Sequence, residues 1–181
     1  MGNNYLYPQI FIKLDSNDLK DKSILSLLER SFIIEDRNRI SKYRLGEYEN
    51  IENILSKKPD NIYFKVVYEP AFNLFLDLEE AKIIRDIVVH LPWRREYIKV
   101  ERDTKVDLIE ISGKNVHLFV HEGDKIEYND KIAYILTGKL EVRTYRSPSS
   151  GLVIYITSLS ERPVKYLLVV VDEFKTRKYK E

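Results

Sequence analysis

Ser112-Gly113-Lys114-Asn115-Val116-His117-Leu118-Phe119-Val120, followed by Glu122-Gly123-Asp124-Lys125-Ile126, is the stretch on which the reading of the fold turns. Apolar and polar residues alternate over 116–120, the period of a half-buried strand, and Gly123-Asp124 is a turn signal. The texture continues downstream. Asn129-Asp130 offers a second turn, because Asn, like Gly, accepts a left-handed backbone. Residues 133–136 read as the next strand, and Thr137-Gly138 before Lys139 reads as a tight turn. Ser147-Pro148-Ser149-Ser150-Gly151 then introduces two further β-rich runs, 151–156 and 164–171. No helical pattern interrupts this series from Tyr97 onward, which predicts a small all-β module beginning near Arg102-Asp103-Thr104.

Upstream, the pattern is mixed. Residues 7–14 are rich in β-formers and read as a strand, with a turn or helix cap at Asp15-Ser16-Asn17-Asp18. Ile24, Leu25, Leu27, Leu28 and Phe32 recur at helical spacing and predict a helix over 21–32. Residues 37–48 give no clear assignment. Ile51, Ile54 and Leu55 suggest a short helix ending before Pro59-Asp60-Asn61. Residues 62–68 predict a strand, and alternating Phe72, Leu74 and Leu76 predict another. Asp77 with Glu80 resembles a capping box, opening a helix that carries Leu78, Ala81, Ile84, Ile87 or Val88, and Leu91 until Pro92. The expectation is an α+β chain: a mixed region over 1–103, an all-β module over 104–174, and a frayed basic tail over 175–181.

Residues 106–171 resemble the biotinyl/lipoyl carrier domain, a flattened barrel of two quasi-repeated β halves (a barrel-sandwich hybrid). The match runs through the small-Gly-x-Val opening at Ser112-Gly113, the Gly123-Asp124 turn, Asn129-Asp130, and Ser147-Pro148-Ser149-Ser150-Gly151-Leu152-Val153. The resemblance implies that Gly113, Gly123, Asp124, Asn129, Gly138, Pro148 and Gly151 shape turns. The interval from Gly123 to Lys139 equals the family's interval to its modified lysine. This implies that Lys139 is a candidate attachment site for biotin or lipoate, displayed at a hairpin tip where tethering raises the effective concentration of the cargo. The flanking residues depart from the family. Leu136-Thr137-Gly138 stands where biotinyl domains have Glu-Ala-Met, and the Glu-Thr-Asp of lipoyl domains is absent. The segment from Lys139 to Gly151 is one residue longer than usual, which implies a bulge or an altered hairpin. Together with the α+β region ahead of it, the module also resembles an archaeal family of unknown function.

Composition narrows the function classes. The chain has 181 residues, 44% hydrophobic and 33% charged, with no cysteine. That excludes disulfides, thiolate metal sites and cysteine nucleophiles. Thirty basic residues against 29 acidic ones argue against a chain-wide nucleic-acid surface. There is no secretory pattern and no membrane-length apolar run, so a cytoplasmic protein without membrane partners is expected. Gly2 lacks the Ser or Thr that myristoylation needs at Leu6.

The remaining candidates have simpler structural readings. His117 and His121, four apart on a predicted strand, would lie about 13 Å apart and could not chelate one ion. His90 is placed at a helix end, where a cation is favoured. No metal site is expected. Glu79, Glu80, Asp86, Glu101 and Asp103 show no pairing, and no phosphate loop or nucleophile elbow is present, so no catalytic residue is assigned. Trp93-Arg94-Arg95, with Tyr97, Lys99 and Arg102, forms a basic-aromatic cluster that could contact nucleic acid. The leading expectation is a non-catalytic interaction or adaptor module with no cofactor and a protein partner, with an edge strand available for self-association. Its alternatives are a carrier modified on Lys139 and a nucleic-acid-associated protein.

Overall fold

A computed structural model describes residues 7–37, 39–46, 53 and 61–181. The expected helix at Ile51, Ile54 and Leu55, and the Pro59-Asp60 turn, lie outside the described residues. The chain divides into two compact units. One contains the described residues up to Asp77, Ile83–Asp103 and Arg177–Glu181; the other contains Leu78–Lys82 and Thr104–Thr176.

The first unit is built on a seven-stranded antiparallel sheet. Its strands are β1 (Gln9–Ile12), β2 (Leu28–Asp36), β3 (Arg39–Arg44), β4 (Ile62–Val66), β7 (Ile87–Leu91), β8 (Glu96–Val100) and β16 (Thr176–Lys180). Their order is β16-β8-β7-β1-β4-β2-β3. Short strands β5 (Leu76–Asp77) and β6 (Lys82–Ile83) lie between β4 and β7 in sequence. Every residue of β7 and β8 is buried, so these strands are covered on both faces. Five strand steps separate β16 from β2, about 24 Å in a flat sheet. Glu35 on β2 nevertheless hydrogen-bonds Tyr179 on β16. The sheet therefore curls, and its concave face encloses Phe11, Ile33, Tyr63, Val88, Tyr97 and Tyr179.

The second unit holds two antiparallel sheets. One has the order β10-β12-β13: β10 (Asn115–Leu118), β12 (Lys131–Leu136) and β13 (Val142–Arg146). The other has the order β11-β14-β15-β9: β9 (Val106–Gly113), β11 (Lys125–Ile126), β14 (Gly151–Glu161) and β15 (Val164–Val171). Ile109, Ile111, Val116, Ile126, Ile132, Val153, Leu168 and Val170 share one core, with residues from both sheets.

The expected α+β class is corrected: the chain is nearly all β. The helix predicted over 21–32 shrinks to α1 (Lys22–Leu25), capped by the Asp21 side chain accepting from Ser23 N at 2.8 Å. Residues 28–36 become β2 because they find ladder partners on both sides, β3 and β4. The helix predicted through Leu78–Leu91 is absent. Its last turn is β7, paired with β1 from Gln9↔His90 to Ile12↔Ile87 and with β8 beyond. Tertiary pairing of β-branched Ile87, Val88 and Val89 overrides the coincidental helical spacing. Conversely, the strand read at Phe72 and Leu74 is one helical turn, α2 (Phe72–Phe75). Residues 176–180 form a sheet strand rather than a frayed tail.

Candidate functional site

The outer face of the β10-β12-β13 sheet is the most unusual surface of the second unit. Its register is Asn115↔Leu136 and His117↔Tyr134 on one side, Tyr134↔Thr144 and Leu136↔Val142 on the other. Alternation sends Val116, Ile135 and Tyr145 toward the core. His117, Tyr134, Leu136, Val142 and Thr144 therefore project from the opposite face. Phe119, just beyond β10, meets the Tyr134 ring edge-on at 4.7 Å and the His117 ring at 5.4 Å. Tyr134 is 43% exposed and Val142 69%. Isolated exposed apolar residues are ordinary, but a contiguous group is a binding signal.

The hairpin joining β12 to β13 extends this face. Thr137 N donates to Glu141 O at 2.9 Å, and Leu140 N donates to Thr137 O at 3.0 Å. Gly138, Lys139 and Leu140 form a three-residue loop whose last member is left-handed, with φ 63° at Leu140. Hairpins of this kind place glycine there. A leucine costs about 1–2 kcal/mol in that conformation, and this one is 65% exposed, so little burial compensates. The glycine sits instead at Gly138, where a Cβ would meet nothing within 4 Å. Lys139 stands exposed at the loop's summit.

The other turn candidates are distributed around the unit. Asn129 has φ 72° and Gly123 φ 87°. Gly113 ends β9, where a Cβ would collide with Ile135; at Gly151 it would lie 2.6 Å from Val171 O. Asp124 Oδ2 accepts from His121 N at 2.8 Å, tying the 121–124 turn. Ser147, next to Pro148, is buried and its hydroxyl donates to Ser149 O at 2.6 Å. A cleft of about 650 Å³ lies beside the hairpin tip, lined by Gly113, Lys114, Gly138, Glu161, Arg162 and Pro163.

Trp93 and Arg94 sit on a 3-10 turn in the first unit, with Trp93 40% exposed and Arg95 left-handed at φ 49°. The cluster does not assemble as read from sequence, because Tyr97 and Lys99 are buried on the sheet. Asp86 accepts from Arg102 N at 2.7 Å, while Glu80 pairs with Lys82. Among the described residues, no group of three His, Asp or Glu could hold a metal ion. No described helix is long and apolar enough to cross a membrane.

The first unit hides its polar chemistry. Glu35 accepts hydrogen bonds from Lys99 Nζ at 2.7 and 3.0 Å, from Tyr63 Oη at 3.1 Å, and from Tyr179. Burial alone would raise the Glu35 carboxyl. The Lys99 and Tyr179 hydrogen bonds, with the Lys99 charge, overcome it and hold the group below the usual carboxylate range. Burial and the Glu35 charge push the Tyr63 phenol up, as burial does at Tyr179. His90, predicted at a helix end, lies inside β7, stacked on Tyr97 at 4.2 Å. Burial and the Lys42 charge push its imidazole down to about 4. A charged cleft of about 620 Å³ is lined by Lys13, Asp15, Asp18, Arg85, Asp86 and Arg102. Its main charges neutralise each other, as in Arg85–Asp18 at 2.7 Å.

Sequence reasoning missed Phe119, Tyr134, Leu140 and Val142 as surface residues. No local sequence signal marked them, because the turn residue is Gly138 while the left-handed position falls on Leu140. A comparison with curated proteins finds no match. A family model described as an uncharacterized protein conserved in archaea (DUF2118) matches residues 5–173, and the chain belongs to that family.

Proposed function

We propose that this protein is a non-catalytic binding module that engages its partner through the outer face of the β10-β12-β13 sheet and the 138–140 tip. The observation that carries this reading is Leu140. An exposed leucine held at φ 63° opposes stability, and strain of this kind collects at functional positions. It continues an apolar surface through Val142, Tyr134 and Phe119. The test replaces Tyr134 with a photoreactive aromatic amino acid and irradiates living cells. A cross-linked adduct is expected there and not with the same residue at Asp107, an exposed position on β9. Equal adducts at both positions, or none at either, contradict the reading.

A second reading is favoured by one observation, the exposed summit position of Lys139. It makes the second unit, by its resemblance to biotinyl/lipoyl domains, a carrier acylated on that lysine. The cofactor would carry the chemistry and the protein would supply placement. Intact mass with peptide mapping around Lys139 decides it: a biotin or lipoate adduct, lost in Lys139→Arg, supports the carrier. An unmodified lysine, in cells whose other carriers are modified, removes it.

A further inference from the structure

The binding face described above carries charges of one sign. Lys131 and Arg146 face each other across β12 and β13 on this side, Arg143 pairs with core-facing Ile135 and so lies on the other side, and the three strands hold no carboxylate. In a chain with 29 acidic and 30 basic residues, that local absence is informative. The companion sheet shows the ordinary pattern, where Lys165 pairs with Glu110 at 2.5 Å. The acid nearest the tip, Glu141, is taken by Arg143 at 2.9 Å. Arg146 is positioned by donating to Asn129 O at 2.8 Å. Lys131 and Lys139 are exposed. Along β12 the face therefore reads cation (Lys131), ring (Tyr134), then cation at the tip (Lys139). The six residues of β12 span about 20 Å. Phe119 and His117 widen the central ring cluster.

A partner that alternates negative charge with flat, unpaired rings matches this layout. An acidic protein segment satisfies the charges but offers the three clustered rings no regular counterpart. Single-stranded nucleic acid supplies a phosphate and an exposed base at every step, and base stacking on aromatic side chains tolerates any sequence. We infer that the outer face of the β10-β12-β13 sheet binds single-stranded nucleic acid, with Tyr134 and Phe119 stacking on bases and Lys131, Arg146 and Lys139 contacting phosphates. This rests on the binding-face reading and names its partner class. The site differs from the Trp93-Arg94-Arg95 cluster, which belongs to the first unit.

The test titrates the full chain into fluorescein-labelled 12-residue oligouridine and oligothymidine, read by fluorescence anisotropy at several salt concentrations. Saturable binding is expected. With three phosphate contacts, log K should fall with log salt at a slope of about −2. Tyr134→Ala and Phe119→Ala should each weaken binding about tenfold with little change in slope. Lys131→Ala should lower the slope by about 0.7. Lys165→Ala, on the other sheet, should bind as the parent does. Melting curves of each variant identify any that fail to fold, and Lys131→Ala, at an exposed position, keeps the test decisive. No binding by the parent chain at low salt overturns the inference, as does binding that Tyr134→Ala and Lys131→Ala leave unchanged. If oligonucleotides do not bind while the in-cell adduct at Tyr134 resists nuclease and contains protein, the partner class is wrong and the binding face stands. If no adduct forms either, both fail.

Discussion

The two units are organised differently: one around a buried ion pair, the other around aliphatic packing. The first buries polar groups: Glu35, Lys99 and His90 lie inside a curled sheet, 6%, 9% and 4% exposed. The second packs a largely aliphatic core and leaves one cluster of rings and its left-handed leucine outside. A buried ion pair is poor value as a source of stability, because desolvation consumes most of the Coulombic gain, but breaking it is costly. Its effect in the first unit is to specify which strands meet. Glu35 gathers groups from β4, β8 and β16, including Tyr179, which sits two residues from the chain's last described residue. The second unit gains its stability from apolar packing and leaves one face free to be unfavourable alone.

That contrast can be broken from either side. The largest effect should come from Lys99→Met, which strands the Glu35 carboxylate in the first unit. A loss of about 3–5 kcal/mol is expected in urea unfolding, and a loss under 1 would mean that water reaches the pair. Leu168→Ala in the dry core should cost about 2–5 kcal/mol through its cavity. Unlike the loss in Lys99→Met, this one should be the same at pH 5 and pH 7.

Acid should separate the units further. The His90 imidazole titrates near 4 when folded and near 6.5 when unfolded. Below about pH 6.5 the unfolded chain takes up a proton that the folded chain refuses. Stability from this group is therefore full at neutral pH and falls between about 6.5 and 4, by about 3 kcal/mol in all. Glu35 acts in the same direction at lower pH: its depressed carboxyl stabilises the fold above the ordinary carboxylate range, and that contribution is lost as pH falls through the folded value. His90→Phe should flatten the unfolding profile between pH 7 and 4.5. A profile unchanged from the parent would show that His90 is not the titrating group. Smallest of all, Tyr134→Ala should shift the unfolding free energy by less than about 0.5 kcal/mol, because the ring is exposed. A larger loss would make the aromatic cluster structural.

Sequence carried some regions well and others badly, for definable reasons. The strands near 62–66 and 164–171 were legible because β-branched and aromatic runs were bounded by turn residues. Residues 87–91 were misread because a strand buried on both faces loses its alternation, leaving an apolar run that also fits helical spacing. The meeting of Glu35 with Lys99, 64 residues away, leaves no local trace. At the candidate site, the turn at 137–141 was visible but its left-handed residue was not. The eye goes to Gly138, while the backbone places the positive φ at Leu140.

Leu140→Gly tests the central claim most directly, by urea unfolding measured beside the yield of the in-cell adduct at position 134. Relief of the left-handed leucine, less the added freedom of the unfolded glycine, should stabilise the protein by about 0.5–1 kcal/mol. The adduct yield should fall at the same time, because the exposed side chain belongs to the binding face. A variant that is less stable, or one that is more stable with its adduct undiminished, would contradict the account.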